Sequence, residues 1–284
     1  MRAYDWARLG ALAVIWSLQY IFLRIAVPAF GAGPVADGRA LFGALFLVPA
    51  ALAMRQRIAP IAHWKDHLVV CLPNNVLPFM CFSAAALFLP AGYLAIINGT
   101  VPLWAGIFAA WALKEPLHAR QIAGFVLGIA GVALIVNLGP VALDARSVFG
   151  AALALAGAAL WGWGGVVIKQ REGILPPIGL AAGATACAAI VMAPLWATAT
   201  PPATWTAGAI AAIVALGVLC SGFAYLAFYS LIRDIGPMRS LSTGLMAPAL
   251  GVLWGWLLLD EAVTVPMLAG VALVVSALFL VLRR

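Results

Sequence analysis

Two distant stretches of this chain share residues at one fixed separation, and this internal repeat constrains the fold more than any other feature. Three markers recur 146 positions later; they are Pro102, Glu115 and Gly124, followed by Pro248, Glu261 and Gly270. A second pair agrees. Trp16 precedes Arg24 by eight residues, and Trp161 precedes Lys169 by the same distance. The repeat predicts two halves of similar architecture, residues 1–140 and 141–284.

The composition requires lipid as the solvent for most of the chain. Of the 284 residues, 65% are hydrophobic and 9% are charged, whereas soluble domains have about 45–50% apolar and about 25% charged residues. A water-soluble fold cannot cover so much apolar surface. The net charge of +7 comes from basic residues in short loops, which is typical of membrane topology and argues against nucleic-acid binding.

Ten apolar segments are long enough to cross a bilayer, since a helical crossing takes about 20 mostly apolar residues. They are residues 7–27, 34–53, 68–89, 91–113, 120–138, 147–168, 177–196, 205–231, 237–259 and 265–282. We therefore predict an all-α integral membrane protein with ten transmembrane helices. The first segment is not expected to be a cleaved signal peptide, because cleavage would remove one of the repeated motifs.

The basic residues set the predicted orientation. With a cytoplasmic amino terminus, thirteen Lys and Arg residues lie on the cytoplasmic side and three on the other, namely Arg24, Arg39 and Arg146. This asymmetry places both termini in the cytoplasm. Each half then has five crossings, an odd number, so the second half is inverted relative to the first. Inverted repeats are typical of secondary transporters, whose substrate site lies near the midplane between the repeats.

None of the nine acidic residues lies near the middle of a predicted crossing. Intramembrane carboxylates are the usual proton or cation relays, so the sequence favours facilitated diffusion or exchange without a carboxylate proton relay. A relay through Tyr, Lys or water stays open as an alternative. Asp37 and Arg39, at the outer end of the second crossing, are expected to pair with each other or to face water.

Structural roles are expected for most other charged residues and for the cysteines. Glu115 and Glu261 each lie between two crossings, where helix capping or pairing across an interface is expected. Arg24 and Lys169 are expected to snorkel or to bond between helices, with contact to a substrate carboxylate as the alternative. The four cysteines have no paired spacing, so we expect packing residues and neither a disulfide nor a metal site. No cofactor is expected.

The polar and aromatic residues inside the crossings are the candidates for substrate binding. Asn74 and Asn75 lie between Pro73 and Pro78, and two prolines so close are expected to break the helix locally. Broken backbone at membrane depth occurs where it lines a cavity or is buried in protein; interhelical hydrogen bonding is the alternative role for these amides. An interfacial belt is the alternative for the two tryptophans of the WGWGG run. The predicted substrate-binding residues are Trp16, Gln19, Tyr20, Asn74, Asn75, Phe79, Met80, Ser83, Asn98, Trp104, Trp161, Trp163, Ser221, Tyr225, Ser242 and Met246.

The ten crossings, the W-x7-K/R opening of each half and the P-x12-E-x8-G run in each half resemble the drug/metabolite transporter superfamily, EamA type. The resemblance covers essentially the whole chain, and within the group the sequence looks most like the bacterial aromatic amino acid exporters. It implies a ten-helix bundle in the bacterial inner membrane, alternating access, and a central pocket lined by both halves. Ser17 follows Trp16 where the family often has glycine, a difference that bears on helix packing there.

The leading functional prediction is an exporter of small metabolites, foremost amino acids with aromatic or other apolar side chains. A drug or sugar-metabolite exporter of the same fold is the main alternative. An intramembrane lipid-modifying enzyme is disfavoured, because the three histidines lie in or beside loops and no deep acid accompanies them. A scaffold would need a longer loop. The expected partners are a small-molecule substrate and membrane lipids, without nucleic acid, and the chain is expected to be a monomer or weak dimer.

Overall fold

The computed structural model describes residues 3–114, 118–138, 144–201, 204–241, 243–260 and 262–282. These residues are helical apart from short connections and one isolated bridge, so the predicted all-α class is confirmed. In chain order the helices are α1 (Ala3–Phe30), α2 (Ala32–Ala53), α3 (Trp64–Ala85), α4 (Ala91–Ala112), α5 (Ala119–Leu138), α6 (Ala145–Gln170), α7 (Pro177–Thr198), α8 (Ala207–Ile235), α9 (Pro237–Leu241 and Thr243–Leu259) and α10 (Val265–Leu282).

Within the described residues, seven helices are long and apolar enough to cross a membrane, namely α1 to α4 and α6 to α8. Helices α5, α9 and α10 occupy the other three predicted crossings. The number of ten crossings stays a prediction. Glu115 and Glu261, the acidic markers of the repeat, lie outside the described residues.

Side-chain caps begin two of the later helices. Asp144 accepts a hydrogen bond from the amide of Ser147 at 2.8 Å and begins α6; this hydrogen bond lowers the pKa of the Asp144 carboxyl. Thr206 accepts from the amide of Ala209 at 3.1 Å and begins α8. Each cap satisfies an amide that a helix leaves unpaired in its first turn, and so fixes where the helix starts.

Two helices widen into π-helical turns. They are Leu72–Val76 in α3 and Leu216–Phe223 in α8, and they begin 144 positions apart. The sequence predicts that Pro73 and Pro78 break the helix locally, and the regular α-helical geometry of α3 is interrupted there by the π-helical turn before the helix continues. The wider turn accommodates the missing proline N–H groups without leaving helical geometry. Turns of this kind are frequent at functional sites.

Most helices of the first predicted half pack against helices of the second. Helix α2 contacts α7 and α8, α3 contacts α6 and α7, and α1 contacts α8 and α9. Helix α6 also contacts α4, and α5 pairs with α10. Where α2 crosses α8, a Cβ on Gly217 would overlap Phe42. The small residue therefore lets the two backbones approach closely.

All four cysteines are free thiols. Cys71 and Cys220 are buried. The Sγ atoms of Cys71 and Cys187 lie 3.5 Å apart, and this contact joins α3 to α7 across the two predicted halves.

Candidate functional site

One face of α1 supplies three residues to the interior of the bundle. Trp16, Gln19 and Tyr20 are three and four positions apart, the spacing that puts side chains on one helix face, and all three are buried. The indole of Trp16 donates to the backbone carbonyl of Cys220 at 2.8 Å. This hydrogen bond holds the ring against the π-helical turn of α8.

A small cavity lies beside Trp16, between the two predicted halves. The rings of Trp16 and Trp161 meet edge to face there, with centroids 5.2 Å apart. The cavity measures about 10 Å³, which is room for about one water molecule. The side chains that line it therefore pack almost directly against one another. The lining residues are Trp16, Asn98 and Val101 from the first half and Trp161, Leu241 and Thr243 from the second.

The π-helical turn of α3 places two amides in the bundle interior. Asn74 and Asn75 are buried, and Phe79 and Ser83 follow Asn75 on the same face at intervals of four residues. The side-chain amide of Asn74 donates to the side-chain oxygen of Asn75 and to the hydroxyl of Tyr229, each at 3.1 Å. The second hydrogen bond joins α3 to α8, so Asn74 makes the interhelical contact that was the alternative to substrate binding.

Arg39 of α2 lies beside these amides, and the expectation that it pairs with Asp37 or faces water is wrong. We call the following residues the polar cluster: Arg39, Asn74, Asn75, Ser221, Tyr225 and Tyr229. Arg39 is 2% exposed. Its Nε donates to the hydroxyl of Ser221 at 2.9 Å, and the guanidinium lies over the ring of Phe79, 4.0 Å from the centroid. Its Nη2 has no hydrogen-bond partner among the described residues.

Asp37 is also buried, but it makes a different contact. Its Oδ2 accepts from the indole of Trp196 at 2.6 Å, which ties α2 to α7. Residues two positions apart on a helix do not face each other, and so Asp37 does not meet Arg39. The chain thus has a buried carboxylate inside a crossing, about 8 Å from the start of α2.

Met80, one of the predicted substrate-binding residues, does not join the polar cluster. Met80 is 38% exposed, because it follows the buried Phe79 by one position and so points about 100° further around the helix. Ser242 and the side chain of Met246 lie outside the described residues.

Two further predicted residues, Trp104 and Trp163, belong to a peripheral aromatic group. Phe108 lies between them, with ring centroids 6.4 Å from Trp104 and 5.5 Å from Trp163. Trp163 also contacts Trp111 at 5.7 Å, and Trp111 is largely exposed. This placement fits the alternative of an interfacial belt for Trp163, whereas Trp161, two positions earlier, faces the cavity.

Ion pairs close one end of the bundle, which we call the basic end and define by Arg8, Asp66, Lys169, Arg171 and Asp234. Arg8 pairs with Asp234 at 3.1 Å, and Arg171 pairs with Asp66 at 3.4 Å. Each pair joins one predicted half to the other.

Aromatic rings close the opposite end, which we call the aromatic end and define by Phe30, Trp196 and Trp205. Their ring centroids lie 5.0 to 6.4 Å apart. The hydroxyl of Thr204 donates to the carbonyl of Ala29 at 2.7 Å, which fastens the α7–α8 connection to the end of α1. Contacts between the two predicted halves thus bridge the bundle at both ends.

Both predicted halves of the chain match one known protein family. The profile of the EamA-like transporter family matches residues 7–137 and again residues 148–283. The chain belongs to the EamA-like transporter family. With seven apolar helices long enough to span a bilayer, this EamA-like chain is a multi-pass transporter of the inner membrane.

Individual proteins resemble the EamA-like chain over most of its length. The uncharacterized transporter YvbV of Bacillus subtilis (strain 168) is 26% identical, over 96% of this chain and 90% of its own length. The uncharacterized inner membrane transporter YedA of Escherichia coli (strain K12) is also 26% identical, over 87% and 80%. Protein PecM of Dickeya dadantii (strain 3937) is 24% identical, over 94% and 88%.

A protein of known crystal structure shares the fold of the EamA-like chain. The two superpose with a TM-score of 0.75 at 21% sequence identity, and the match covers 99% of this chain and 97% of the other.

The binding residues predicted from the sequence do not include two members of the polar cluster, Arg39 and Tyr229. The sequence nevertheless contains a feature that indicates each of them. Arg39 lies inside the apolar segment 34–53, where a charge is costly and marks a functional site by default. Tyr229 follows Tyr225 by four positions, the spacing of one helix face.

Proposed function

We propose that this EamA-like protein exports small amphipathic metabolites, foremost amino acids with aromatic or other apolar side chains. The observation that carries the proposal is the cavity between the predicted halves, whose walls combine the indoles of Trp16 and Trp161 with the amide of Asn98. Indoles suit an apolar side chain, and a few placed polar groups orient a ligand. The proposal assigns transport and no catalytic step.

The proposal includes two inverted five-helix repeats, and recurring hydrogen bonds support it. Arg24 Nη1 donates to the carbonyl of Ala86 at 3.1 Å. Lys169 Nζ, at the equivalent position of the second half, donates to the carbonyl of Arg233 at 3.2 Å. Donors 145 positions apart thus meet acceptors 147 positions apart. The interhelical role expected for Arg24 and Lys169 agrees with these contacts.

Backbone geometry and helix packing also support the repeats. Lys114 and Asp260, 146 positions apart, both adopt a positive φ, of 55° and 51°. The π-helical turns of α3 and α8 recur at nearly the same spacing. Exchanging the halves also maps observed helix contacts onto observed contacts: α2 with α8 becomes α7 with α3, and α1 with α9 becomes α6 with α4.

The substrate is proposed to cross by alternating access. Relative motion of the halves would break the ion pairs of the basic end in one state and separate the rings of the aromatic end in the other. The excess of basic residues supports a cytoplasmic orientation for the basic end. No proton relay is assigned, because Asp37 does not line the central cavity.

Exchange in proteoliposomes tests this proposal. Vesicles loaded with unlabelled amino acids are supplied with labelled phenylalanine, methionine or threonine, with and without a pH gradient. Selective exchange that ignores the gradient supports the proposal. Exchange that depends on the pH gradient would contradict the proposal that the protein has no proton relay. It would make Asp37 the candidate relay, and Asp37→Asn should then abolish the dependence. No exchange of any amino acid overturns the substrate class.

A drug exporter is a second candidate, and one feature favours it. A pocket of about 720 Å³ opens between α2, α3 and α7. Its walls are mostly apolar, and Trp64, Cys187, Arg57 and His67 are among the lining residues. Its size fits a drug-sized molecule. A competition experiment distinguishes the amino acid exporter from the drug exporter. Lipophilic drugs that the protein transports but that inhibit amino acid exchange only weakly would favour the drug exporter.

A further inference from the structure

Arg39 carries a buried charge for which the described residues supply no carboxylate. Asp37 is the other charged residue of α2, and it bonds to Trp196 instead. The ion pairs of the described residues join other side chains at the basic end of the bundle. A charge inside a helix bundle is costly unless it is paired, and charges at membrane depth commonly mark a substrate or ion pathway.

The guanidinium of Arg39 has a donor atom, Nη2, that no described residue satisfies. Phe79 covers one face of the guanidinium, and Ser221 accepts from Nε. The hydroxyls of Tyr20 and Tyr225 lie close enough to Arg39 to interact with it electrostatically. A planar guanidinium with free N–H groups matches a carboxylate, which accepts two parallel hydrogen bonds.

Tyr20 connects this charge to the central cavity. Its side chain neighbours both Arg39 and Asn98, and Asn98 lines the cavity together with Trp16 and Trp161. An acid group at Arg39 therefore lies close to indole walls. This arrangement fits a molecule with a carboxylate at one end and an apolar group at the other.

We infer that Arg39 binds the carboxylate of the transported substrate, with the hydroxyls of Tyr20 and Tyr225 as donors beside it. The inference rests on the proposed transport function and deepens it. The substrate class is then small molecules with one carboxylate and an apolar remainder, carried as zwitterions or monoanions. Decarboxylated amines are rejected, because they would place a second positive charge beside Arg39 with nothing to neutralise either one.

Four matched probes test this assignment by exchange in proteoliposomes and by thermal stabilisation of the purified protein: phenylalanine, phenylacetate, phenylalaninamide and phenethylamine. The first two carry a carboxylate, and the last two lack it. We expect phenylalanine and phenylacetate to bind. Phenylalaninamide and phenethylamine should bind at least about tenfold more weakly. Equal binding of phenylalanine and phenethylamine by the wild-type protein overturns the assignment without any variant.

The variant Arg39→Gln separates a binding role from a packing role. Loss of a charge-assisted hydrogen bond lowers affinity by about 10- to 100-fold, so we expect that decrease for phenylalanine and no decrease for phenylalaninamide. Arg39→Lys keeps the charge but loses the planar fork, and we expect it to restore part of the selectivity. Arg24→Gln is the matched control, since Arg24 bonds to the carbonyl of Ala86; it should retain the wild-type ratio between the two probes.

The outcomes distinguish this assignment from the proposed function. If phenylacetate binds through Arg39 but no amino acid is exchanged, the amino acid substrate class fails and the carboxylate site stands. If phenylalanine is exchanged and Arg39→Gln keeps the wild-type selectivity, the transport function stands and the Arg39 site is refuted. A folded Arg39→Gln protein that loses all four probes equally also refutes it, because a purely structural role has that signature.

Discussion

Trp16 and Trp161 meet edge to face at the central cavity, with their ring centroids 5.2 Å apart. They stand 145 positions apart, and each opens the repeated W-x7-K/R motif of its half. Edge-to-face pairs stabilise by about 0.5–1.5 kcal/mol beyond burial, a contribution small enough for a substrate to replace. We expect a substrate that binds between the predicted halves to separate these two rings.

Truncating Trp161 should impair transport through loss of a cavity wall. We expect Trp161→Ala to lower the exchange rate at limiting substrate about tenfold or more, as for a buried aromatic anchor, and Trp161→Phe to retain part of it. Trp163→Ala is the control, because Trp163 lies in the peripheral aromatic group; its rate should stay within about twofold of wild type. The reverse pattern would place the substrate at the peripheral group.

The hydrogen bond between Asn74 and Tyr229 should couple the stabilities of α3 and α8. Interhelical hydrogen bonds in membrane proteins average about 0.6 kcal/mol, with a maximum near 1.7. We expect a coupling energy in that range from a double-mutant cycle of Asn74→Ala and Tyr229→Phe, measured by unfolding in detergent. Strictly additive effects would show that the 3.1 Å contact contributes nothing.

Removing an ion pair at the basic end should favour its opening. Exposed or half-exposed pairs contribute about 0–1 kcal/mol each, so Asp234→Asn should raise the open population by up to about fivefold. This population can be measured with a cysteine introduced on the interior side of the Arg8–Asp234 pair, by its rate of reaction with a soluble maleimide. Salt should reproduce the effect in the wild-type protein, and unchanged labelling in the variant would remove the basic end from the gating mechanism.

Oxidation should lock the protein through its own cysteines. The Sγ atoms of Cys71 and Cys187 are 3.5 Å apart, and a disulfide needs a small approach to about 2.05 Å. Because the pair joins the two predicted halves, we expect copper phenanthroline to stop exchange and a reductant to restore it. Cys187→Ser should be insensitive. Full exchange by the cross-linked protein would show that transport needs no separation of α3 from α7.

A methyl group at Gly164 should weaken the packing of α6 on α3. A Cβ there would lie 2.8 Å from Cα of Asn74 and 2.9 Å from the carbonyl oxygen of Pro73, and backbone atoms cannot rotate away. We expect Gly164→Ala to destabilise by about 1–3 kcal/mol, measured as a lower midpoint of thermal unfolding. Gly10→Ala is the control, since nothing lies near that position; it should be neutral or stabilising.

The sequence by itself determined the fold class, the positions of the helices and many residues of the polar cluster. Lipid cannot hydrogen-bond the backbone, so a single crossing segment must satisfy its own N–H and C=O groups, as an apolar helix does. Apolar segments of the required length are visible in the sequence. The i, i+3 and i, i+4 spacing also brings Trp16, Gln19 and Tyr20 to one face without reference to the rest of the chain.

Only the tertiary structure decided which polar residues meet. Arg39 bonds to Ser221, 182 positions away, and not to Asp37 two positions away. Phe79 is buried and its neighbour Met80 is exposed, although both lie in the same apolar segment. In a chain with apolar residues on every helix face, hydropathy does not distinguish the lipid-facing side from the packed one. Only the contact of one helix with another makes that distinction. Packing of α2 against its neighbours buries Arg39, whose position near the end of a predicted crossing had indicated a surface charge.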